Sequence, residues 1–491
     1  MKIKSVSLAM LATVFAASCS NEEVVETNAN YNGEPIDFTP SVASPTRAVA
    51  TTLENLGDFN VFAKGIRSDL GTLFRTFMIG EAKTDKTNAK PAVANRVSLS
   101  SESGTWKLPT DVYWPSDVNT ALFWAFSDRK NGEGSTENGL CVTTGSVDFL
   151  ETFGPQIENY KPLKADITQP AGENTGWFDG DHQRDLVSAF TQQTKNPHVS
   201  LNFHHLLSQV EIKAMSKHTK QDEESRKVKI KGAWLVNVKS TGSLNANFKY
   251  EQGQATDNPV WNNSSELEQY GSVYSGNDRT VPIVVNGTPD PLNVLGNEGH
   301  GNLMLIPQEK EAWDGTSTTT TGAYLLLLCR VDMGHKGEVA DGSAVSEVID
   351  GIHYHQQFPI SSYYDEDAYG LTAIPVPVDW EMGKKYSYTL DICGENSGAG
   401  KYPPNVPTDA TDLAAYLAKF IPGKLGTDYV INATEKPNPS KTNIITTIAP
   451  GKNVGDYVLD EPILFKITVG NWDEGDTWTN GNESKTNAAS E

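Results

Sequence analysis

The chain has 491 residues, of which 37% are hydrophobic and 21% charged, with 41 glycines and 26 prolines. This length exceeds what one hydrophobic core serves, and the composition is that of a folded protein rich in turns rather than of a disordered chain. The formal charge of -22 argues against binding to nucleic acid, which needs clustered Lys and Arg, and it keeps the chain soluble.

The N-terminus has the pattern of a bacterial export signal. Two lysines precede an apolar run at residues 6–17, which is too short to span a bilayer. Residues 16–19, AASC, are similar to a lipobox, in which a peptidase cuts between Ser18 and Cys19 and the Cys19 thiol is acylated. We expect residues 1–18 to be a signal peptide and lipid on Cys19 to anchor the mature chain. The acidic residues that follow are either an outer-face sorting signal or an ordinary polar tether.

A segment shortly after this anchor alternates with the period of a half-buried strand. Ile36, Phe38 and Val42 fall on one side together with Pro40, and polar residues fall on the other side. Because Pro40 has no backbone N–H to donate to a ladder, the pattern predicts an edge strand over residues 35–42.

Arg47 and Ala48 follow this strand within a polar, helix-averse stretch that contains Pro45. A trypsin-like protease would cut such an exposed stretch between Arg47 and Ala48. The spacing alone leaves open the alternative that this stretch is a linker in which Arg47 has no role.

Short apolar segments then alternate with turn clusters, which is typical of a β-sandwich. The strands predicted in the first half are residues 121–126, 199–203, 209–215, 228–238 and 243–250. The polar passage at residues 251–270 is predicted to be a loop. We place a domain boundary within it, which gives one sandwich at residues 48–258 and a second at residues 259–472.

The second half repeats the sandwich pattern with one helical interruption. Its predicted strands are residues 281–285, 303–307, 324–332, 374–380, 385–392 and 463–472. Apolar residues between 413 and 421 recur at helical spacing, with Thr411 as a cap and a Pro–Gly stop behind them, so we predict a short helical insertion. Residues 473–491 are polar and are predicted to be disordered.

The last predicted strand has a strongly apolar side. The residues that share this side are Ile463, Phe465, Ile467 and Val469. Their alternation fits either the final strand of an ordinary sandwich or a strand that is given to a second molecule.

No sequence pattern points to catalysis, a metal or a cofactor, and we predict a protein that is not an enzyme. His353 and His355 share one face of a strand, but two histidines are too few ligands for zinc, so no metal site is predicted. Cys141, Cys329 and Cys393 show no CxxC spacing, and the last two are interpreted as buried small hydrophobic residues.

Several local patterns in a fixed order carry a family resemblance. They are the lipoprotein start, Ile36 with Phe38, TRA at 46–48, VYWP at 112–115, LFWA at 122–125, LNFH at 201–204, SQV at 208–210, LIPQ at 305–308 and ITV at 467–469. Together they resemble the fimbrillin family, the subunits of type V pili in Gram-negative anaerobes.

The resemblance implies an all-β precursor of two transthyretin-like sandwiches in tandem, exported as an outer-membrane lipoprotein to the cell surface. A surface arginine-specific protease would cut after Arg47 and remove residues 19–47 together with the first strand. A strand of another pilus subunit would fill the vacated groove and build the fimbrium, by strand addition. A host or bacterial receptor is a further expected partner, which the sequence does not identify.

The alternative function is a surface lipoprotein that stays anchored through Cys19 and binds glycan through exposed aromatic residues. On this alternative Arg47 is never cut, and the first strand is a permanent part of the fold. Its candidate aromatic residues are Trp106, Trp114, Trp124 and Trp177. Tryptophans on a sandwich are more commonly used in the core.

Overall fold

A computed structural model describes most of the chain between residues 33 and 486. The described residues are 33–42, 53, 56–67, 74–79, 96–128, 147–150, 154–162, 185–219, 226–251, 254–273, 279–295, 302–337, 347–360, 367–421, 423, 425–433, 443–459, 461–471 and 485–486. Strands predominate among them and α1 (Ala410–Ala418) is the one α-helix, which confirms the predicted all-β class.

The strands are, in chain order, β1 (Asp37–Val42), β2 (Phe59–Arg67), β3 (Phe74–Ile79), β4 (Arg96–Leu99), β5 (Trp106–Lys107), β6 (Val118–Ser127), β7 (Val147–Leu150), β8 (Gly154–Tyr160), β9 (Val187–Thr194), β10 (His198–His205), β11 (Ser208–His218), β12 (Arg226–Lys239), β13 (Gly242–Asn245), β14 (Phe248–Glu251), β15 (Gln254–Asp257), β16 (Val260–Asn263), β17 (Leu267–Val273), β18 (Arg279–Thr280), β19 (Ile283–Val285), β20 (Leu292–Asn293), β21 (Leu303–Leu305), β22 (Gln308–Lys310), β23 (Tyr324–Lys336), β24 (Glu347–Ile349), β25 (Ile352–Phe358), β26 (Ala368–Pro375), β27 (Val378–Trp380), β28 (Lys384–Asp391), β29 (Tyr429–Ile431), β30 (Asn443–Thr446), β31 (Leu464–Asn471) and β32 (Lys485–Thr486).

Burial along the strands follows their sequence pattern. In β10 burial alternates residue by residue, so this strand has one face on the core and one in water. In β23 the run from Tyr324 to Asp332 is buried at every position, because both faces of this strand are covered. A continuous apolar run therefore marks a central strand, and an alternating run marks a strand with a solvated face.

The N-terminal strands form a closed series of pairings in the order β3-β2-β4-β5-β1-β10-β9-β6, with β6 pairing back to β2. Two layers result, because β10 pairs with β1 over residues 198–203 and then with β9 at His204 and His205. One layer holds β4, β5, β1 and β10, and the other holds β3, β2, β6 and β9. Apolar side chains from both layers meet in a single core.

The C-terminal strands form two further sheets that face each other. One contains β17, β12, β23, β26, β30 and β29, and the other contains β19, β11, β28, β31 and β32. A large core lies between them. On the outer face of the first sheet, α1 buries Leu413 and Leu417, and Phe420 lies 5.5 Å from Trp234 between ring centroids.

The predicted helix is confirmed, but its cap is not Thr411. The Asp409 carboxylate accepts hydrogen bonds from the backbone N–H groups of Thr411 and Asp412, so Asp409 is the N-cap. Both residues are of a type that caps helices, and the pattern alone did not decide between them.

The polar passage at residues 251–270, predicted to be a loop, instead contains β15, β16 and the start of β17. β16 pairs with β13, and its burial alternates between the exposed Val260 and Asn262 and two half-buried residues, so one face of this paired strand is in water. β17 completes the edge of a sheet by pairing with β12. The polar composition therefore reflects solvated strand faces rather than a loop.

The hydrogen-bonded sheets do not divide at residue 258. β11 and β12 lie before that residue, yet β11 pairs with β28 and β12 pairs with β23. Conversely, β16 lies after that residue, yet it pairs with β13, which pairs with β8 in a small sheet that also contains β7. An additional core connects this small sheet to β2 and β6. The number and the limits of the domains stay a prediction.

Part of the predicted disordered tail is ordered by pairing. Lys485 and Thr486 form β32, which lies antiparallel to Ile467 and Lys466 of β31. The other residues of 473–491 lie outside the described part of the chain.

Candidate functional site

The first strand, β1, lies between two neighbours in its layer. Residues 37–42 pair in parallel with residues 198–203 of β10, and Asp37 and Phe38 pair antiparallel with Lys107 and Trp106 of β5. The predicted alternation is confirmed, because Ile36, Phe38 and Pro40 are buried while Thr39 and Ser41 are exposed.

Pro40 lies where β1 has a partner on one side only. The Asp37 N–H donates to the Pro197 carbonyl of the β10 side at 2.9 Å, and the Ile36 N–H donates to the Val112 carbonyl on the other side at 2.8 Å. Because N–H groups alternate along a strand, the position of Pro40 faces away from β10. The pairing with β5 ends at Phe38, so the missing N–H of Pro40 leaves no gap in that ladder. The predicted edge position is therefore wrong for Asp37 and Phe38 and fits the segment from Thr39 onward.

The apolar side of β1 lies at the centre of the N-terminal core. Ile36 and Phe38 are each 3% exposed. The Phe38 ring meets Phe59 at 6.3 Å and Phe123 at 6.4 Å between centroids, both in edge-to-face geometry. Each large apolar side chain seated in this way stabilises the strand by about 1.5–3 kcal/mol. Val42 packs at the margin of the same core and is half-buried.

The polar side of β1 contacts β10 at both ends. His198 Nδ1 lies 2.8 Å from Asp37 Oδ1, and His198 Nε2 lies 3.7 Å from Glu34 Oε2. At the other end, the Ser41 hydroxyl donates to Asn202 Oδ1 at 3.1 Å. The hydrogen bond and the charge of Asp37 raise the pKa of His198 above its ordinary value of 6.5. The cationic form of His198 therefore holds β1 more firmly than the neutral form does.

Two roles were predicted for the last strand, an ordinary strand of this chain or a strand given to a second molecule. Within the chain itself β31 is an ordinary strand that pairs antiparallel with β28 from Leu464 to Asn471. The predicted apolar side is confirmed, because Ile463 and Ile467 are buried in the C-terminal core and Phe465 and Val469 pack against it. The structure contains one molecule, so a donation of this strand to a second one stays a prediction.

Several predicted residues lie outside the described part of the chain. They are Ser18 and Cys19 of the lipobox, Arg47 and Ala48 of the processing site, and Cys141 and Trp177. Cys329 and Cys393 are buried free cysteines, as predicted. Within the described residues no helix is long and apolar enough to cross a membrane, and no three metal-ligating side chains converge on one position.

Of two residues that contact β1, sequence reasoning missed His198 and considered Trp106 only as a sugar-binding or core tryptophan. His198 precedes the alternating run of β10 and carries no pattern of its own, so only pairing shows its contact with Asp37. Trp106 opposes Phe38 across the β1–β5 pair and packs on Phe59 at 5.4 Å between centroids. The buried histidine of β10 is His205, which contacts Asp185 at 2.9 Å, whereas His204 is exposed.

Replacing Phe38 by Ala should lower the free energy of unfolding of the N-terminal half by about 3–5 kcal/mol, because the substitution leaves a cavity between Phe59 and Phe123. Thr39→Ala in the same strand is the matched control and should change it by no more than about 0.5 kcal/mol, because Thr39 is exposed. Chemical denaturation measures both values. Equal stability of the two variants would show that the apolar side of β1 does not hold the strand.

Acid should strengthen the attachment of β1 through His198. Because the folded-state pKa of His198 is raised, the extra stability is fully present below the unfolded pKa and is lost as the pH rises through the folded value. We expect the difference in thermal midpoint between the wild type and His198→Gln to be largest below pH 6.5, the ordinary pKa of histidine, and to decrease as the pH rises above it. A difference that is constant with pH would contradict this role of His198.

Comparison with known proteins identifies relatives at low sequence identity. A fimbrial protein from Bacteroides vulgatus is 16% identical, with 74% of this chain and 96% of that chain covered and a TM-score of 0.40. A cell adhesion protein from Parabacteroides distasonis is 8% identical, with 91% and 99% covered and a TM-score of 0.31. A fimbrial assembly protein from the same species is 10% identical, with 72% and 91% covered and a TM-score of 0.25.

Because these TM-scores are below 0.5, the family of the chain is assigned from its sequence. No curated protein matches the chain. A family model described as fimbrillin-like matches residues 46–401, which is more than half of the chain. The chain therefore belongs to the fimbrillin-like family.

Proposed function

We propose that the chain is a structural or adhesive subunit of surface fimbriae that polymerises by exchanging its first strand. The observation that carries this proposal is the place of β1 in the middle of a layer, between β5 and β10. All the other described strands follow β1 in the chain, so β1 is joined to them through the residues behind Val42. A single cut behind it is therefore enough to release it.

Loss of β1 would leave a groove of a defined size. Neighbouring strands lie about 4.8 Å apart, so β5 and β10 would be separated by about 9.6 Å with no strand between them. Among the described strands, only β1 pairs with residues 198–203 of β10. The backbone groups of those residues would lose their ladder, and Phe59 and Phe123 would lose the ring that covers them.

A strand from another subunit would restore both kinds of contact. Each ladder hydrogen bond contributes about 0.5–1.5 kcal/mol, and each seated apolar side chain contributes about 1.5–3 kcal/mol. This is recognition by strand addition, in which backbone pairing supplies affinity and pockets for alternate side chains supply specificity. The groove demands a segment with two or three apolar residues at alternate positions, as in β1.

The donor that we propose is the segment from Ile463 to Val469. Its apolar side chains alternate in the manner that the groove demands. In the single chain these side chains belong to the C-terminal core, so donation would require β31 to leave β28 or an equivalent segment to replace it. An ordinary last strand is the alternative.

Export and processing complete the proposed pathway. Acylation of Cys19 would hold the precursor at the outer membrane and the cell surface, and a surface protease would cut between Arg47 and Ala48. Arg47 lies five residues after the end of β1 at Val42, so a cut there leaves the strand intact but detached from the rest of the chain. The other pilus subunits are the partners of the trimmed chain.

Three of the four tryptophans considered for the glycan-binding alternative lie in the described part of the chain, and these three give it no support. Trp114 and Trp124 are 2% and 1% exposed, so their rings are closed to a sugar. Trp106 is half-buried against Phe59 in the N-terminal core. These rings pack the core, as is usual on a sandwich.

Mass spectrometry of the protein taken from the cell surface should find an N-terminus at Ala48, because the proposed protease cuts after Arg47. Arg47→Gln should retain an acylated N-terminus at Cys19, and Lys419→Gln, which also removes one exposed positive charge but lies far along the chain from the processing site, serves as the matched control with normal trimming. An abundant wild-type form that begins at acylated Cys19 would contradict trimming and favour the permanently anchored protein.

Release of β1 should cause polymerisation in vitro. We expect a full chain with the site of a specific protease in place of residues 43–47 to be monomeric, and to form concentration-dependent oligomers by light scattering after the cut. Cysteines at the paired positions Thr39 and Ser200 provide the matched control, because a disulfide between them would retain β1 after the cut until it is reduced. A cut, unlocked chain that stays monomeric would contradict strand exchange.

The same cut protein identifies the donor. A labelled peptide of residues 461–471 should bind it by fluorescence polarisation, a peptide of residues 35–42 is the positive control, and the first peptide with Ile467→Asp should fail because it places a charge in the groove. Binding of the second peptide without the first would leave β31 as an ordinary last strand.

A further inference from the structure

A block of histidine and methionine side chains lies on one face of the ribbon formed by β23 and β25. In this antiparallel pair His335 is opposite His353, and Met333 is opposite His355. Opposite residues, and residues two apart on one strand, share a face of a sheet. Three imidazoles and one thioether thus occupy a two-by-two block on the same face, and each of the four side chains is half-buried.

The spacing of the imidazoles fits a shared metal ion. The ring centroid of His335 lies 4.6 Å from that of His355 and 5.9 Å from that of His353. Two imidazoles on one tetrahedral ion, with metal–nitrogen bonds of about 2.0–2.1 Å, have ring centres about 5 Å apart. The two measured distances bracket this value, with His335 in the central position.

The hydrogen bonding prepares His335 as a ligand. Its Nδ1 lies 3.2 Å from the backbone carbonyl oxygen of His353, and since a carbonyl only accepts, Nδ1 carries the proton. The lone pair of the ring is then on Nε2. A backbone carbonyl that holds one ring N–H in this way is the usual support of a metal-ligating histidine, because it sets the tautomer and the ring orientation.

His353 has an unsatisfied nitrogen in the same block. Its Nδ1 is buried and has no hydrogen-bond partner in the structure. Buried polar atoms without a hydrogen-bond partner are rare, because each one lowers the stability of the fold. A bound ion is one way in which such an atom is satisfied. A bond from this nitrogen to a metal would satisfy it.

We propose that His335, His353, His355 and Met333 form a site for a late first-row transition-metal ion, with Cu(II) bound more tightly than Zn(II). In the present rotamers three ligating groups do not converge on one point. Rotation of the His353 and His355 side chains between staggered wells is required, and the strand register already fixes the four Cβ positions on one face.

The ligand types determine which ion the site prefers. Imidazole and thioether are nitrogen and soft sulfur ligands, which suit copper and zinc, whereas Mg²⁺ and Ca²⁺ require oxygen ligands. Divalent copper binds most tightly of the first-row ions to a nitrogen site. The prediction of no zinc site considered His353 and His355 as a pair, and the third imidazole comes from the paired strand β23, 18 residues before His353.

Titration of Cu(II) into the full chain, purified without a polyhistidine tag, tests the site by calorimetry and electron paramagnetic resonance. We expect one equivalent with nitrogen hyperfine structure, weaker binding of Zn(II), and no binding of Mg²⁺. His335→Gln should weaken Cu(II) binding by at least about tenfold, because it removes the central ligand. The matched control is His204→Gln, an exposed histidine of β10, which should bind as the wild type does.

All these variants keep the same cysteines, so binding of copper to thiols is common to them and cancels in the comparison. Should His335→Gln fail to fold by circular dichroism, His353→Gln replaces it with the same expected loss. Wild-type affinity in the folded variant would overturn the proposal. The proposal is equally overturned if the wild type binds no copper at this stoichiometry, or if the loss of a nitrogen signal occurs in His204→Gln instead.

Discussion

The closed series of N-terminal strands depends on β1, which lies between β5 and β10. β1 supplies backbone partners to both neighbours and places Ile36 and Phe38 among aromatic rings of the opposite layer. No other described strand pairs with residues 198–203, because β9 takes over only at His204. The fold thus needs a strand between β5 and β10, and the strand found there, β1, is joined to the other described strands only through the residues that follow it.

On the proposed function, the contacts that hold β1 in the folded chain would also be the contacts that join one subunit to the next. After a cut, β1 would keep its contacts but would lose the high effective concentration that the covalent link gives it beside its groove. A strand from another molecule could then compete with it for the same position. Backbone pairing and two large apolar side chains hold β1 in place. Any strand with the same alternation of apolar and polar residues would make contacts of similar free energy. His198 adds a contact that varies with its protonation state.

The C-terminal half is organised around the long strand β23, which pairs with β12, β25 and β26. Its central strand β23 is covered on both faces, by the large core on one side and by α1 with its apolar partners on the other. The distal end of the same strand extends beyond β12 and pairs with β25, where His335 meets His353. One long strand therefore combines a buried centre with an accessible end, and the proposed metal block lies at that end.

The sequence by itself determined the local character of most elements. Alternation at residues 36–42 and 463–469, the continuous apolar run at 324–329 and the helical spacing at 413–421 each predict the element found there, because period and burial are local properties of a strand or helix. The tertiary structure decided which strands pair with each other. The neighbours of β1, the grouping of β11 and β12 with the C-terminal strands, and the meeting of His335 with His353 all depend on contacts between distant residues. Hydrogen bonds between strands are not encoded in the periodicity of either strand, so the sequence showed a strand with an apolar side and only the fold showed the groove that receives it.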